Sequence, residues 1–192
     1  MYVLFAVKIV SVVGARPNYI KLVAVYRVFS RFFEHVVVDT GQHYDYEMNK
    51  VFYDQLDIPE PDYFLGIGSG SHGYQVGDII RRTEEVLLRE RPDLVVVYGD
   101  TNSTLGGALA AVKAGFKVAH VEAGLRAFDM LMPEEINRRV VDHISYLLFA
   151  PTHSAVRNLQ EEKVPGSVFL TGDLHVATLK RWLPIAEERS RV

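Results

Sequence analysis

Short apolar runs alternate with longer amphipathic segments from one end of this chain to the other. The apolar runs predict β-strands, and several are apolar on both faces, as in strands that helices cover on each side. The predicted strands lie at residues 8–13, 35–39, 62–65, 94–98, 117–121, 147–150 and 167–170. This alternation is typical of repeated βαβ units and predicts an α/β protein with a Rossmann-like, doubly wound parallel sheet of about seven strands.

Helical spacing of apolar residues separates the predicted strands, as in Val76, Ile79 and Val86. Pro17 and Pro133 each stand where the first turn of a helix would begin, a position that proline favours. The glycine-rich segment 66–73 favours either a mobile lid or a plain surface turn. No repeat or linker interrupts the pattern, so we expect one domain over residues 1–192.

The composition of the chain indicates which ligands and which cellular location to expect. The 192 residues are 48% hydrophobic and carry a formal net charge of -3 without a basic run, which argues against a nucleic-acid partner. Any anionic ligand must therefore be held by a few placed arginines and lysines. The chain has no cysteine, which excludes disulfides and thiolate metal sites and is compatible with the cytoplasmic location that we expect. No apolar run reaches the roughly 18 to 20 residues of a membrane helix.

The segments 120–126 and 133–138 join acids and arginines across one strand-to-helix loop. Glu122 is expected at the carboxyl end of a strand, where parallel sheets bind their ligands. Glu134 and its neighbour Glu135 point about 100 degrees apart on a helix, so we predict that Glu134 faces the cleft and Glu135 supports the structure. Further residues that would clamp these acids or an anionic substrate are Arg126, Asn137 and Arg138, with helix-surface salt bridging as the alternative for Arg138.

Three other strand ends add polar groups. Arg16 and Lys21 flank a helix N-terminus and suggest a phosphate site, although both would also suit a solvated surface. Gln42 and His43 suit sugar hydroxyl and acetamido groups, although a lone histidine is more often structural. Asp100 is either a helix N-cap or a third acid on the rim with Glu122 and Glu134.

Two kinds of cofactor site find no support in the sequence. The first strand is followed by Gly-Ala-Arg-Pro and not by the Gly-x-Gly-x-x-Gly dinucleotide fingerprint, so nicotinamide or flavin binding is unsupported. The histidines outside these junctions, His143, His153 and His175, lack the spacing of metal ligands. We therefore expect neither a cofactor nor a metal.

The order of these motifs resembles that of the non-hydrolysing UDP-N-acetylglucosamine 2-epimerases, and the resemblance covers essentially the whole chain. Its motifs are Gly-Ala-Arg-Pro-Asn-Tyr-Ile-Lys (14–21), Thr-Gly-Gln-His (40–43), Gly-Asp-Thr-Asn-Ser (99–103), His-Val-Glu-Ala-Gly-Leu-Arg (120–126), Pro-Glu-Glu-Ile-Asn-Arg (133–138) and Thr-Gly-Asp (171–173). The resemblance implies the N-terminal half of a glycosyltransferase-B fold, without the uridine-binding half. Two departures stand out: Tyr44-Asp45 follows Gln42-His43, where relatives with an allosteric substrate site usually have arginine, and Asp173 replaces the usual asparagine.

The same resemblance implies interconversion of UDP-GlcNAc and UDP-ManNAc, without NAD or metal, by elimination of UDP to a 2-acetamidoglucal and its re-addition. Asp100, Glu122 and Glu134 match the carboxylates that the family uses in proton transfer, and Arg16 and Lys21 match its substrate-contacting pair. Because the uridine contacts of the family come from the second half, this chain is expected to need that half, and to form a homodimer or associate with the missing half.

Three alternatives remain open at this stage: a nucleotide-sugar-binding or partner-binding domain without catalysis, a hydrolysing 2-epimerase, and an epimerase for a diacetamido uronic acid.

Overall fold

A parallel sheet forms the centre of the protein. The computed structural model describes residues 7–42, 53 and 58–189, and within these residues seven strands pair in the order β3-β2-β1-β4-β5-β6-β7. The strands are β1 Lys8–Val13, β2 Glu34–Asp39, β3 Tyr63–Phe64, β4 Leu94–Tyr98, β5 Val118–Val121, β6 Leu147–Ala150 and β7 Ser167–Leu170. Every neighbouring pair is parallel. The prediction of a doubly wound α/β sheet is therefore confirmed.

The strand bounds agree with the sequence prediction except at the edges of three strands. The largest difference is β3, which has two residues where four were predicted, because this edge strand pairs only with Val38 and Asp39 of β2. The strands β2 and β5 each differ from the prediction by one residue at the amino end.

Six helices lie in the described part of the chain, five of them between strands and the last after β7: α1 Arg16–Phe32, α2 His72–Glu90, α3 Asn102–Lys113, α4 Pro133–Ile144, α5 His153–Glu161 and α6 Leu174–Arg189. Pro17 and Pro133 lie in the first turns of α1 and α4, as predicted, where a missing N–H costs no helical hydrogen bond. None of these helices is long and apolar enough to cross a bilayer.

Alternate side chains of β1 enter two different cores. Val10 and Val12 pack with buried residues of α2, α3 and α4, whereas Ile9 and Val13 pack with Tyr19 of α1 on the opposite face. Helices therefore cover both faces of the sheet, which explains why the central strands are almost uninterruptedly apolar.

The order of strands reverses beside β1, because the chain first builds outward to β3 and then crosses to β4 on the other side. In such sheets the loops at the carboxyl ends part at this switch point and leave a crevice. The glycine-rich segment reaches the same edge, where Ile67 and Gly68 donate backbone hydrogen bonds to the carbonyls of Thr40 (3.0 Å) and Gly41 (2.9 Å). These bonds fix that part of the segment to the sheet, which favours the surface turn over the lid.

Candidate functional site

A cavity of about 240 Å³ opens at the carboxyl ends of the strands. The N-terminal ends of four helices line it, and its wall consists of Ala15, Pro17, Gln42, His72, Asp100, Thr101, Asn102, Pro133, Glu134 and Asn137. Helix N-termini present unpaired N–H groups and the positive end of the helix dipole. This convergence favours an anionic ligand such as a phosphate.

Close contact between three loops builds one wall of the cavity. A Cβ on Gly14 would lie 1.9 Å from Thr40 Oγ1 and 2.4 Å from Ser103 Oγ, so only glycine fits between β1 and α1. Thr40 and Ser103 share a hydrogen bond of 2.8 Å. Gln42 Oε1 accepts hydrogen bonds from the backbone N–H (2.9 Å) and hydroxyl (2.7 Å) of Ser103. Gln42 therefore lies in the cavity wall with its orientation fixed.

Asn18 anchors the N-terminus of α1 to the neighbouring strand. Its side-chain amide donates to the Tyr98 carbonyl at 2.7 Å, and its oxygen accepts from the Ala15 N–H at 3.1 Å. Arg16 is the exposed first residue of this helix, and the described part of the structure records no ion pair for it. Its neighbours Ala15 and Pro17 line the cavity but Arg16 does not, so its substrate contact stays a prediction.

Asp100 lies in the cavity wall at the end of β4 and is not the cap of the following helix. Thr101 caps α3, accepting the Thr104 N–H at 3.3 Å, which leaves the Asp100 carboxylate without a structural duty at the helix end. Arg138 contacts this carboxylate, and the Asn137 amide donates to the Asp100 carbonyl at 2.8 Å. Asn137 and Arg138 therefore hold the Asp100 turn from α4, and their contact with a substrate stays a prediction.

The two adjacent glutamates of α4 point in different directions. Glu134 lines the cavity, whereas Glu135 is fully buried and accepts hydrogen bonds from Ala127 N–H (2.8 Å) and Arg139 Nε (2.9 Å). Burial opposes ionisation of Glu135, but the Ala127 N–H and the arginine charges outweigh it and lower its pKa. The predicted division, Glu134 towards the cleft and Glu135 in support, is confirmed.

Glu122 adopts a left-handed backbone conformation, with φ +71°, at the end of β5. For a residue other than glycine this costs of the order of 1 kcal/mol or more, and such strain is concentrated at functional sites. Its carboxylate contacts the ammonium of Lys21, which is 3% exposed and packs against Gly99, the residue before Asp100. Lys21 therefore has a carboxylate partner within the protein, and its contact with a substrate phosphate stays a prediction.

The three acids do not share one cavity wall, contrary to our expectation of a single rim. Asp100 and Glu134 line the cavity, whereas Glu122 is not part of its wall. Glu122 is linked to the Asp100 turn through Lys21, so it lies at the adjoining strand end of the same edge.

The structure contradicts the assignment of Arg126 to the substrate. Its side chain is fully buried, with one nitrogen 2.7 Å from Asp142 and two others 2.8 and 2.6 Å from Glu162. Burial opposes its charge, but the two carboxylates more than offset it and raise the pKa of Arg126. Burial opposes the ionisation of Asp142 as well, but His120 and, to a smaller extent, Arg126 outweigh it and lower the pKa of Asp142. Arg126 thus anchors the loop after β5 and does not face the cavity.

A closed ring of charged and polar contacts surrounds this loop, and we call it the charged ring. Its members are Asp100, Arg138, Glu135, Arg139, Glu162, Arg126, Asp142 and His120. His120 closes the ring because its Nε2 lies 2.7 Å from the carbonyl of Gly99, next to Asp100. Carboxylates and cations alternate through most of the ring, so each buried charge has partners on both sides.

Comparison with known proteins identifies the family of this chain. The family model for UDP-N-acetylglucosamine 2-epimerase matches residues 29–192. The chain belongs to this family. A UDP-N-acetylglucosamine 2-epimerase homolog of Methanococcus maripaludis is 54% identical over 183 residues, which are 95% of this chain and 51% of that protein. A UDP-2,3-diacetamido-2,3-dideoxy-D-glucuronate 2-epimerase of Pseudomonas aeruginosa is 49% identical over 157 residues, which are 81% of this chain and 44% of that protein.

A solved structure of a 2-epimerase superposes closely on this one. The UDP-GlcNAc 2-epimerase of Methanocaldococcus jannaschii, in complex with UDP-GlcNAc and UDP, is 46% identical, with a TM-score of 0.93 over 95% of this chain and 51% of that one. The chain thus spans about half the length of the relatives that it matches.

Two histidines lie beside the candidate acids, although the sequence analysis left His72 unmentioned and gave His175 no role in the site. His72, in the first turn of α2, lines the cavity and lies 3.0 Å from the side-chain amide of Asn102. His175, in the first turn of α6, lies 4.0 Å from the carboxylate of Glu122. Both follow a strand and open a helix, which is the signal that identified the other candidates. The predicted contact His43 lies outside the described residues.

Proposed function

We propose that this chain supplies the carboxylate-bearing half of an enzyme that interconverts UDP-GlcNAc and UDP-ManNAc. One observation carries the proposal: Asp100 and Glu134 line a cavity at the N-terminal ends of four helices, in a fold that superposes on an epimerase solved with UDP-GlcNAc and UDP. Phosphate groups suit the helix ends, and carboxylates beside them suit proton transfer at the sugar.

The proposed reaction has two steps. In the first, a carboxylate removes the proton from carbon 2 of the sugar while the bond from carbon 1 to UDP breaks, which leaves a double bond between the two carbons. In the second, UDP adds back to carbon 1 and an acid protonates carbon 2 from the opposite face. Asp100, Glu122 and Glu134 are the candidate proton carriers, and carboxylates also stabilise positive charge that develops at the anomeric carbon. This chemistry calls for neither NAD nor a metal.

The charged contacts of these acids support their roles. Arg138 holds Asp100 and Lys21 holds Glu122, so each carboxylate has a fixed position beside a cation. Glu134 lines the cavity without an ion-pair partner among the described residues. Arg16, Gln42 and Asn137 are proposed to contact the diphosphate or the sugar from the surrounding helix ends. The uridine is proposed to bind a second half, which belongs to the same chain or to another polypeptide. We also propose that the protein forms a homodimer or associates with that half, and that it is located in the cytoplasm.

Exchange at carbon 2 tests the proposal. The chain is assayed alone and fused to the C-terminal half of the Methanococcus maripaludis relative, in deuterium oxide with UDP-GlcNAc. We expect the fusion to incorporate deuterium at carbon 2 and form UDP-ManNAc, and the chain alone to do little of either. Asp100→Asn and Glu122→Gln should each abolish exchange while the far-ultraviolet circular dichroism remains that of the folded protein. Normal turnover in both variants would remove them from the mechanism.

A second substrate has a specific observation in its favour, namely the Pseudomonas aeruginosa relative whose name specifies a diacetamido glucuronate. The same exchange assay with that nucleotide sugar separates the two substrates. Tight binding of either sugar without exchange in the fusion would instead indicate a binding domain.

A further inference from the structure

Glu122 meets basic groups from two different helices. Its Oε2 atom is buried, contacts the ammonium of Lys21 on α1 and lies 4.0 Å from Nδ1 of His175 on α6. One carboxylate oxygen of a candidate proton carrier therefore faces two groups that are able to take up or release a proton.

Solvent access distinguishes these two basic groups. The side chain of Lys21 is 4% exposed, whereas that of His175 is 37% exposed. The Glu122 side chain as a whole is 19% exposed, but its Oε2 atom is buried, and Lys21 is itself enclosed. Of the two, only His175 connects this oxygen with solvent.

The position of His175 is fixed by its own surroundings. Asp173 caps α6, with Oδ1 accepting the backbone N–H of His175 at 2.7 Å and lying 3.5 Å from Nδ1. One turn later, the hydroxyl of Thr178 donates to the carbonyl of Ile20 at 2.7 Å, next to Lys21 in α1. Two helices are thereby locked together at the level of Glu122.

We propose that His175 relays protons between Glu122 and solvent, an inference that rests on the proposed epimerase function. A proton taken from the sugar by Glu122 passes from Oε2 to Nδ1, which restores the carboxylate and forms an imidazolium. The imidazolium then releases a proton to water from its exposed side, and the reverse sequence supplies a proton to Glu122. Direct transfer needs about 2.6–3.2 Å, and a rotation of the ring or one bridging water covers the difference from 4.0 Å.

His175 does not touch the sugar in this scheme and acts only through Glu122. Among the described residues, its charged neighbours are Glu122 and Asp173, whose carboxylate oxygens lie 4.0 and 3.5 Å from Nδ1. Histidine is suited to this duty because an imidazole nitrogen accepts a proton in the neutral ring and donates one in the imidazolium.

Chemical rescue in the fusion enzyme tests the relay. We expect His175→Ala to lower the rate of carbon-2 exchange at saturating substrate by about 10²-fold or more, the lower end of the range for a lost proton-transfer group, with little change in KM. Added imidazole should restore much of the rate, whereas 1,2,4-triazole, which has a similar shape but is a far weaker base, should not. His153→Ala is the matched control, because His153 is an exposed histidine in the first turn of α5 at the same edge of the sheet, and its rate should equal that of the unmodified enzyme.

The outcomes separate the two proposals. An unchanged rate in His175→Ala, a loss that imidazole does not restore, or equal rescue by both azoles overturns the relay while the epimerase proposal stands. Absence of exchange in the unmodified fusion refutes the epimerase proposal, and the relay falls with it. Selective rescue by imidazole supports the relay, because filling the space of a structural side chain does not depend on basicity.

Discussion

The pair of Lys21 and Glu122 offers a measurable test of how the site is held. Their side chains are 4% and 19% exposed. Unit charges roughly 4 Å apart attract by about 4 kcal/mol at an effective dielectric constant of about 20. Removing one partner of a buried pair usually costs about 3–5 kcal/mol, because the other charge remains buried without compensation.

The unequal exposure of the two side chains predicts unequal costs. Glu122→Gln leaves the almost fully buried ammonium of Lys21 alone, so we expect it to lower the free energy of unfolding by about 3 kcal/mol. Lys21→Met leaves a carboxylate that water reaches in part, so we expect a smaller loss of about 1–2 kcal/mol. The double variant should lose clearly less than the sum of the two, because neither charge is then left over.

Urea unfolding of the chain, followed by far-ultraviolet circular dichroism, measures these differences as shifts of the midpoint at constant m-value. The measurement is repeated in about 0.5 M salt, which screens exposed pairs much more than buried ones. Additive losses, or a Glu122→Gln midpoint equal to that of the unmodified chain, would refute the conclusion that this ion pair is buried and strong.

Three further predictions concern stability. Gly124→Ala should lower the free energy of unfolding by more than about 2 kcal/mol, since φ is +83° and the new Cβ would lie 2.4 Å from the Ala155 carbonyl oxygen. In the same urea assay, Gly77→Ala in α2 should raise it by about 0.5–1 kcal/mol, because the new Cβ meets no atom within 4 Å. Arg126→Met should cost about 3–5 kcal/mol, and weaker substrate binding without a loss of stability would instead restore its predicted ligand contact. Burial lowers the pKa of His35 to about 4, so on acidification the unfolded chain takes up this proton at a higher pH than the folded chain. The free energy of unfolding should therefore fall as the pH drops from about 6.5 to about 4. This part of the pH dependence should be absent in His35→Gln.

The fold was predictable because the central strands are apolar on both faces. Val95, Val96 and Val97 are all buried, and only a strand between two helical layers places successive side chains in two cores. The edge was harder to predict, since Phe64 is exposed and β3 pairs on one side only, so little in its sequence marks where pairing stops.

The site was predictable where the position of a residue along a strand or helix determines the direction of its side chain. Glu134 and Glu135 were separated correctly by the angle between successive helical residues. Arg126 was not, because its partners Asp142 and Glu162 are 16 and 36 residues away and only the folded chain brings them together. The ion pair of Lys21 with Glu122 was not predicted for the same reason, because Glu122 follows β5, on the other side of β4 from β1.

The charged ring couples residues that are far apart in the sequence. A change at Glu162, on the far side of the loop from the cavity, releases Arg126 and Arg139 at once, and the disturbance reaches Asp100 through Glu135 and Arg138. Substitutions among these members should therefore compensate or aggravate each other instead of adding. Redesign of this edge would have to replace both members of an ion pair together. Replacement of one member alone leaves each of its two neighbours in the ring without one of its partners.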